Sequence, residues 1–577
     1  MSVIGSNILA GASGQQGYNI SRSVRMRSSA SAFFNRTLTT PTDAKKWTWS
    51  AWVKRGILGA SPNLFWAWSG SGNEDQLMFS TDTLRFYVNG GVTGNIITNA
   101  VFRDPSAWYH IVAVYDSANA TSNDRMILYV NGTRQTLSTN TQPTLNYSNQ
   151  FNTAVSHSLG RNVPAGTYFD GYMTEVNFID GQALTPSSFG ETNTTTGVWQ
   201  PKKYTGTYGT NGFYLNFSDP SAATAAAIGA DYSGNGNNWT PNNISVTAGT
   251  TYDSMIDVPT QFFDGGNGRG NYTVMNPLDV ISGSNAPTYS NGNLTLAIGN
   301  SNHKSRGTIG ASSGKYYFEF GGTNVGGIYN TIVVTGIINE AGTDWRYQVY
   351  DGNKISGGSS TAYGTGYGSG AWPTIGCAID LDTGKIWFRN DVGWFASGDP
   401  AAGTNAAFTN VTGTVRPYFE GGGGGYSGTI QFNFGQRPFT YTPPTGFKAL
   451  NTLNLLAPTI LKGNQYFDAT LWTGDQLART ITNSGSMQPD FVWTKSRSDI
   501  ESHRLSDSVR GGNGTVLYEL NSNETAAEGT DTLVSGFVSN GFTIASGTNS
   551  PNITGRTYVD WQWKANGTAV TNTAGSI

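Results

Sequence analysis

Trp108-Tyr-His-Ile-Val-Ala-Val-Tyr-Asp116, a polar turn, and then Arg125-Met-Ile-Leu-Tyr-Val-Asn-Gly132 form the stretch that decides the fold. His110 to Tyr115 and Met126 to Val130 are rich in β-branched, aliphatic and aromatic residues, and each has the length of one strand. Between them, Asp116 to Asp124 offers Ser, Asn, Thr and Asp, whose side chains bond to nearby backbone and favour reversal over helix. Asn131-Gly132 tolerates positive φ and starts another turn. The pattern predicts two neighbouring antiparallel strands. A similar arrangement returns at Gly376 to Asn390, so one architectural idea is used twice.

The totals point the same way. A chain of 577 residues exceeds a single core, and three or four domains are expected. With 75 Gly and only 12% charged residues, the composition suits short strands joined by many turns and disfavours helices. The 16 Trp, 28 Tyr and 28 Phe supply the apolar area that a disordered chain lacks. A formal net charge of −3 argues against a nucleic-acid surface, which needs clustered Lys and Arg. The lone Cys377 excludes an internal disulfide and the Cys-based zinc sites, and its neighbours Ile375 and Ala378 predict a buried thiol. No run reaches the roughly 18 apolar residues of a spanning helix, and the first residues lack the pattern of a signal peptide.

Working outward, residues 1–20 cannot bury a core alone and read as either a disordered tail or an attachment arm that docks on another subunit. In Trp47-Thr-Trp-Ser-Ala-Trp-Val-Lys54, alternation puts Trp47, Trp49, Ala51 and Val53 on one side, facing a core. Trp108 to Asp116, Leu128-Tyr-Val-Asn-Gly132 and Phe169-Asp-Gly-Tyr-Met-Thr-Glu-Val176, in this order, resemble the laminin-G/concanavalin A-like jelly roll over residues 21–220. The continuation Asn177-Phe-Ile-Asp-Gly-Gln-Ala-Leu184 is similar to domains of tailed-phage virion proteins.

Residues 221–292 are turn-rich and read as an ordered connector, because Trp239, Tyr252 and Phe262-Phe263 would be wasted in a free linker. Gly314-Lys-Tyr-Tyr-Phe-Glu-Phe320, Ile375 to Phe388 and Gln431-Phe-Asn-Phe-Gly-Gln-Arg-Pro-Phe439 resemble a SPRY domain, placed at 293–454. The Gly-rich stretches 357–370 and 421–425 are its candidate binding loops. Phe491-Val-Trp-Thr-Lys495, Ser506 to Gly512 and Val559-Asp-Trp-Gln-Trp-Lys-Ala-Asn-Gly567 resemble a C-terminal module of phage tail proteins, a β-rich unit over 455–577 that in relatives continues further. The expected fold class is therefore all-β: tandem concanavalin A-like jelly-roll sandwiches, laminin-G-like then SPRY-like, with a β-rich C-terminal module.

Catalytic equipment is scarce. Laminarinase-type enzymes on this fold carry Glu-x-Asp-x-x-Glu on one strand, and no Glu here is followed by Asp two positions on. Glu74 and Asp75 are adjacent in a strand and so face opposite ways, which makes a carboxylate pair at one bond a poor reading. His110, between Tyr109 and Ile111, reads as a packed histidine. No catalytic residue is assigned. For ligand binding, Trp66, Trp68, Tyr363 and Tyr367 are candidates, since aromatic rings stack on sugar faces; core packing is the plainer reading for Trp66 and Trp68. The laminin-G resemblance implies rim Ca²⁺ held by Asp, for which Asp104, Asp116 and Asp124 are candidates beside their plainer role as turn formers.

The resemblances together imply a non-enzymatic phage virion protein: a tail fibre or host-recognition appendage located in the virion. It would join other virion proteins through its N-terminal arm and bind host surface glycan or protein through sandwich loops. Homo-oligomers, trimers above all, are implied by the same kinship; nucleic acid and membrane insertion are not expected. The rival expectations are a capsid-decorating or tail-junction protein and a polysaccharide depolymerase tailspike.

Overall fold

A computed structural model describes residues 18–565 except 71, 163–164, 265, 280, 282–283, 300, 326–332, 369–370, 422–426, 513–515 and 547–550. Most of the expected arm, the tip of the 421–425 loop and the end of the chain lie outside the described residues. The described regular elements are β-strands and short 3₁₀ turns. The chain divides into two compact units, Met1–Thr194 with Val198–Pro458, and Thr195–Gly197 with Thr459–Ile577.

The first unit opens with two eight-stranded sheets. At the centre of one, Lys46–Arg55 pairs antiparallel with Trp108–Asp116 on one side and Gly171–Asp180 on the other. Trp108–Asp116 in turn pairs with Met126–Val130, the hairpin expected from the deciding stretch. Asn131 and Gly132 have φ of 49° and 79°, a left-handed turn that feeds Thr133–Arg134 back onto the same edge. The other sheet centres on Asn63–Gly70 and Asn73–Ser80, with Thr83–Val88 and Gly94–Val101 beyond. Trp47, Trp49, Ala51 and Val53 all face the core between the sheets. Trp47 is the hub there: its ring lies 5.6 Å from Tyr115, 5.4 Å from Phe86 and 5.2 Å from Phe151.

The connector expected at 221–292 is ordered and lies along its neighbours, adding strands to both sheets of the first sandwich. Thr240–Asn242 adds to one sheet by pairing with Phe33–Thr37, and Ser254–Met255 adds to the other by pairing with Ser23–Met26. Trp239 is fully buried in the first core. Apolar area on these turn-rich residues is what draws them in; Phe263, Leu278 and Tyr232, 73%, 50% and 46% exposed, are exceptions.

The second sandwich stacks a seven-stranded sheet on a six-stranded one. Lys315–Val325 and Ala371–Asp380 are central to the former, and Val334–Asn339 and Val415–Gly421 to the latter. Its strands begin at Thr288–Ser290, ahead of the expected boundary at 293. Cys377 is buried in its core, and burial pushes the thiol well above its ordinary value.

The two sandwiches share packed side chains. Trp52, Trp108 and Tyr172, on the outer face of the first sandwich, belong to the same apolar cluster as Leu294, Phe318 and Phe432 of the second. Polar groups reinforce the seam. Asp170 accepts from the backbone N–H of Asn291 at 2.9 Å and of Gly292 at 2.6 Å. Arg25 donates from Nη1 to Asn291 O at 3.4 Å, and within the first sandwich it is held, with Arg27, by the fully buried Asp253 at 3.1 and 2.8 Å.

The second unit has a six-stranded sheet, Phe467–Thr473, Thr557–Trp563, Phe491–Ser496, Arg504–Gly512, Val516–Asn521 and Gly529–Thr530 in spatial order, and a three-stranded one. Its core is small: Ile481, Val492, Leu533, Val534, Phe542 and Ile544.

Candidate functional site

On the strand Asn63–Gly70, Phe65 and Ala67 point into the core, so Trp66 and Trp68 stand on the outer face of that sheet. The register then fixes their neighbours. Trp66 lies opposite Gln76 and Ser158, and Trp68 opposite Glu74 and Ser156. One strand further on either side come Tyr87, opposite Gln76, and Asn35, opposite Ser158. Aromatic rings, hydroxyls, amides and one carboxylate thus share a single face.

The two indoles stack, with centroids 5.8 Å apart and planes 23° from parallel. Trp66 is fully buried and donates from Nε1 to Glu74 Oε2 at 3.3 Å. Tyr87 donates its hydroxyl to Glu74 Oε1 at 3.0 Å. Arg85 lies over the Tyr87 ring, 4.5 Å from its centroid, and donates from Nε to Asn95 at 2.8 Å. Burial, and then the Glu74 carboxylate, hold the Tyr87 phenol well above its ordinary value, so it stays a donor. Of the two tryptophans, only half-buried Trp68 offers a ring face to a ligand. Trp66 corrects the expectation of a direct platform: it backs Trp68 and orients Glu74.

Among the described residues Glu74 has no second carboxylate on its face of the sheet. Asp75 turns to the other face, fully buried, and accepts from the backbone N–H of Asn89 at 2.8 Å, Gln150 at 2.5 Å and Phe151 at 3.0 Å. The arrangement can bind a hydroxylated ring through stacking and hydrogen bonds; it does not flank a bond with two acids.

The other predicted residues are placed elsewhere. Tyr363 packs edge-on against Phe388 and Phe395, with centroids 6.5 and 5.9 Å away. Tyr367 accepts from Asn390 Nδ2 at 3.0 Å. Both are half-buried against the second core rather than free in a loop, because the Gly-rich backbone folds back: Gly364 N–H reaches Gly352 O at 2.7 Å and Tyr367 N–H reaches Val349 O at 3.0 Å.

Asp104, Asp116 and Asp124 do not converge. Asp104 and Asp116 flank the nine-residue strand Trp108–Asp116, which separates them by about 3.4 Å per residue. Asp104 accepts from Ser106 N–H at 2.8 Å, a turn-forming bond; Asp116 pairs with Lys46 at 3.4 Å and Asp124 with Arg134 at 2.7 Å. Among the described residues no group of three or more His, Cys, Asp or Glu is arranged to hold a metal ion.

His110 is buried between Trp52 and Trp199, with ring centroids 5.0 and 5.9 Å away. Trp199 Nε1 donates to its Nδ1 at 2.9 Å, which leaves the proton on Nε2 to meet Ser50 Oγ at 2.9 Å. Burial pushes its pKa down to about 3. Nitrogen-15 NMR of the ring is expected to show the neutral Nε2–H tautomer throughout pH 5 to 8; a protonated ring at pH 5 would contradict this packing.

A concavity that sequence reading missed lies within the first unit. It holds about 630 Å³, and Arg103, Asp104, Asp279, Arg306, Glu340 and Arg416 line it. Arg306 is paired with Asp279 at 2.7 Å. Its wall comes from segments far apart in the chain, so no local motif announces it.

Residues 28–188 match the family model of the concanavalin A-like lectin/glucanases superfamily, and residues 298–437 that of the SPRY domain. Residues 462–577 match a domain of unknown function, DUF7483. The chain therefore carries a concanavalin A-like domain followed by a SPRY domain. Comparison with curated proteins found no match. Among solved structures, the chain is similar to the native heptameric SAP-like pentraxin from Limulus polyphemus (16% identity, TM-score 0.23, covering 29% of this chain and 80% of that one). It is also similar to the SPRY domain of human HERC1 (18%, TM-score 0.21, 28% and 96%). A third is domain 4 of AbnA, a GH43 extracellular arabinanase from Geobacillus stearothermophilus, in complex with arabinotriose (18%, TM-score 0.19, 25% and 64%).

Proposed function

We propose that this chain is a non-enzymatic recognition protein that binds a glycan on the outer face of the first sandwich, around Trp68. The observation that carries the reading is the half-exposed Trp68 ring, stacked on Trp66 beside the Glu74 carboxylate and the Ser156 hydroxyl. The ring offers a flat apolar face for sugar C–H groups, and its neighbours supply acceptors and donors for the hydroxyls. The concanavalin A-like and SPRY domains suit a binding role. We extend the reading to a tail fibre or host-recognition appendage of a tailed-phage virion; Asn177 to Leu184, with its likeness to virion domains, supports that step.

Purified protein is expected to bind host surface polysaccharide without releasing reducing ends. Trp68→Ala is expected to weaken binding on the order of 30-fold, the size of an aromatic hot spot, while Arg103→Ala in the concavity leaves it unchanged. Binding unaffected by Trp68→Ala would reject the site, and release of reducing ends would reject the non-enzymatic reading. Blocking of phage adsorption by the purified chain tests the virion role.

A further inference from the structure

In the second unit the strand Thr557–Trp563 is turned against its own hydrophobicity. Tyr558, Asp560 and Gln562 are the buried residues, and Val559, Trp561 and Trp563 stand on the outer face. The inward polar groups are fully engaged. Asp560 accepts from Thr494 Oγ1 at 2.6 Å and from Trp472 Nε1, while Gln562 donates to Thr470 at 2.9 Å and accepts from Asn483 at 3.0 Å.

Register extends the outer face into two apolar ladders. Phe467, Trp563 and Phe491 lie across three strands; Ala469, Trp561, Trp493, Leu505 and Leu520 cross five. Leu471 and Val559 begin a third row that ends on Lys495, and Asp507 follows Phe491 in the first, so two charges border the apolar patch. Leu471 is 62% exposed, Phe467 42%, Leu520 38% and Trp563 36%. So many adjoining apolar side chains on one sheet face mark an interaction surface rather than ordinary exposure.

We infer that this face packs against the same face of another copy of the chain, sheet on sheet. Ring geometry favours a protein partner over sugar. Phe467–Trp563, Trp563–Phe491 and Trp493–Trp561 are tilted by 52°, 45° and 63°, so the rings interlock and present no coplanar ledge for pyranose stacking. Size favours a second copy. The whole sheet face, Lys495 and Asp507 included, measures roughly 600 Å² from five strands at about 4.8 Å spacing and seven residues at about 3.4 Å each, somewhat under the approximately 800 Å² per partner of a stable interface. A mainly apolar sheet face can pair with its own copy under a two-fold axis, and two such faces pack about 10 Å apart.

Sedimentation of the full chain is the test. The wild-type protein is expected to run at a multiple of the monomer mass at micromolar concentration. Leu471→Glu is expected to weaken association on the order of 30-fold, and Leu471→Lys to do the same. Both change an exposed side chain, and unaltered circular dichroism would show that the fold survives. Val392→Glu, at a residue 90% exposed on the second sandwich, is the control and is expected to leave the mass unchanged. A monomeric wild-type chain, or an oligomer indifferent to both Leu471 variants, would overturn the inference. So would loss of polysaccharide or vesicle binding by these variants in a chain that stays monomeric throughout.

Discussion

Replacing Lys54 with methionine is expected to destabilise the two-sandwich unit by about 3–5 kcal/mol, the cost of leaving a buried charge without its partner. Lys54 Nζ donates to Asp257 at 2.8 Å, Asn271 Oδ1 at 2.7 Å and Tyr272 O at 2.9 Å. Asp257 also accepts from Trp108 Nε1 at 3.0 Å, and both charged side chains are fully inaccessible. Desolvation holds the Asp257 carboxyl above its ordinary value and the Lys54 ammonium below its own; their mutual attraction opposes both shifts. Methionine keeps most of the volume but leaves the Asp257 carboxylate with neutral donors only. Pairing Lys54→Met with Asp257→Asn removes the orphaned charge, so the double variant is expected to lose less than the sum of the singles. Denaturant midpoints at unchanged m-value measure this. A shift below about 1 kcal/mol for Lys54→Met would show that the pair is dispensable.

The second large effect is a divergence in acid between two variants of the first sandwich. His157 is fully buried beside Phe65 and Phe151, donates from Nδ1 to Val155 O at 2.9 Å, and has no partner for Nε2 among the described residues. Burial pushes its pKa down to about 4. An unfolded histidine takes its proton near 6.5, so this group removes stability as pH falls from 6.5 to 4, at about 1.4 kcal/mol per unit.

Glu175 acts with the opposite sign. It sits at φ 54° in the strand Gly171–Asp180, where pairing with Lys46–Arg55 shifts register between Thr174 and Asn177. It accepts from the Tyr214 hydroxyl at 2.8 Å, and burial pushes it up to about 7. Its contribution is fully present below its ordinary 4.5 and is lost as pH rises through 7. Between pH 6.5 and 4.5, Glu175→Gln is therefore expected to fall in stability relative to wild type, and His157→Met to rise. Each change amounts to about 3 kcal/mol over those two units. Parallel stability–pH curves for the two variants would contradict both assignments.

The fold was legible wherever period and burial agree. Trp47, Trp49, Ala51 and Val53 alternate and all face the core; Met126 to Val130 pairs with Tyr115 to Ile111 as its composition predicts. Legibility failed where tertiary context overrides local pattern. Thr240–Asn242 and Ser254–Met255 are too short and polar to declare themselves strands, and only partners more than 200 residues away make them so. In Thr557–Trp563 alternation reveals the strand, but hydrophobicity alone would turn its tryptophans inward.

The candidate site was half legible. Trp66 and Trp68 share a face, as period two requires, yet how much of each ring is covered depends on neighbouring strands. Tyr363 and Tyr367 lie in a Gly-rich loop that folds back on the core, which composition does not disclose. The concavity beside Arg103 and Arg306 is assembled from distant segments and leaves no local signature.

The apolar cluster that runs from Trp52 and Tyr172 to Phe318 and Phe432 has a mechanical meaning. A pull on a ligand held by one sandwich is borne by interlocked aromatic rings and the Asp170 hydrogen bonds before it reaches the other. Such a segment resists bending as a strut does, where beads strung on slack thread would simply swing. For the recognition role proposed above, stiffness at that joint would be as useful as grip.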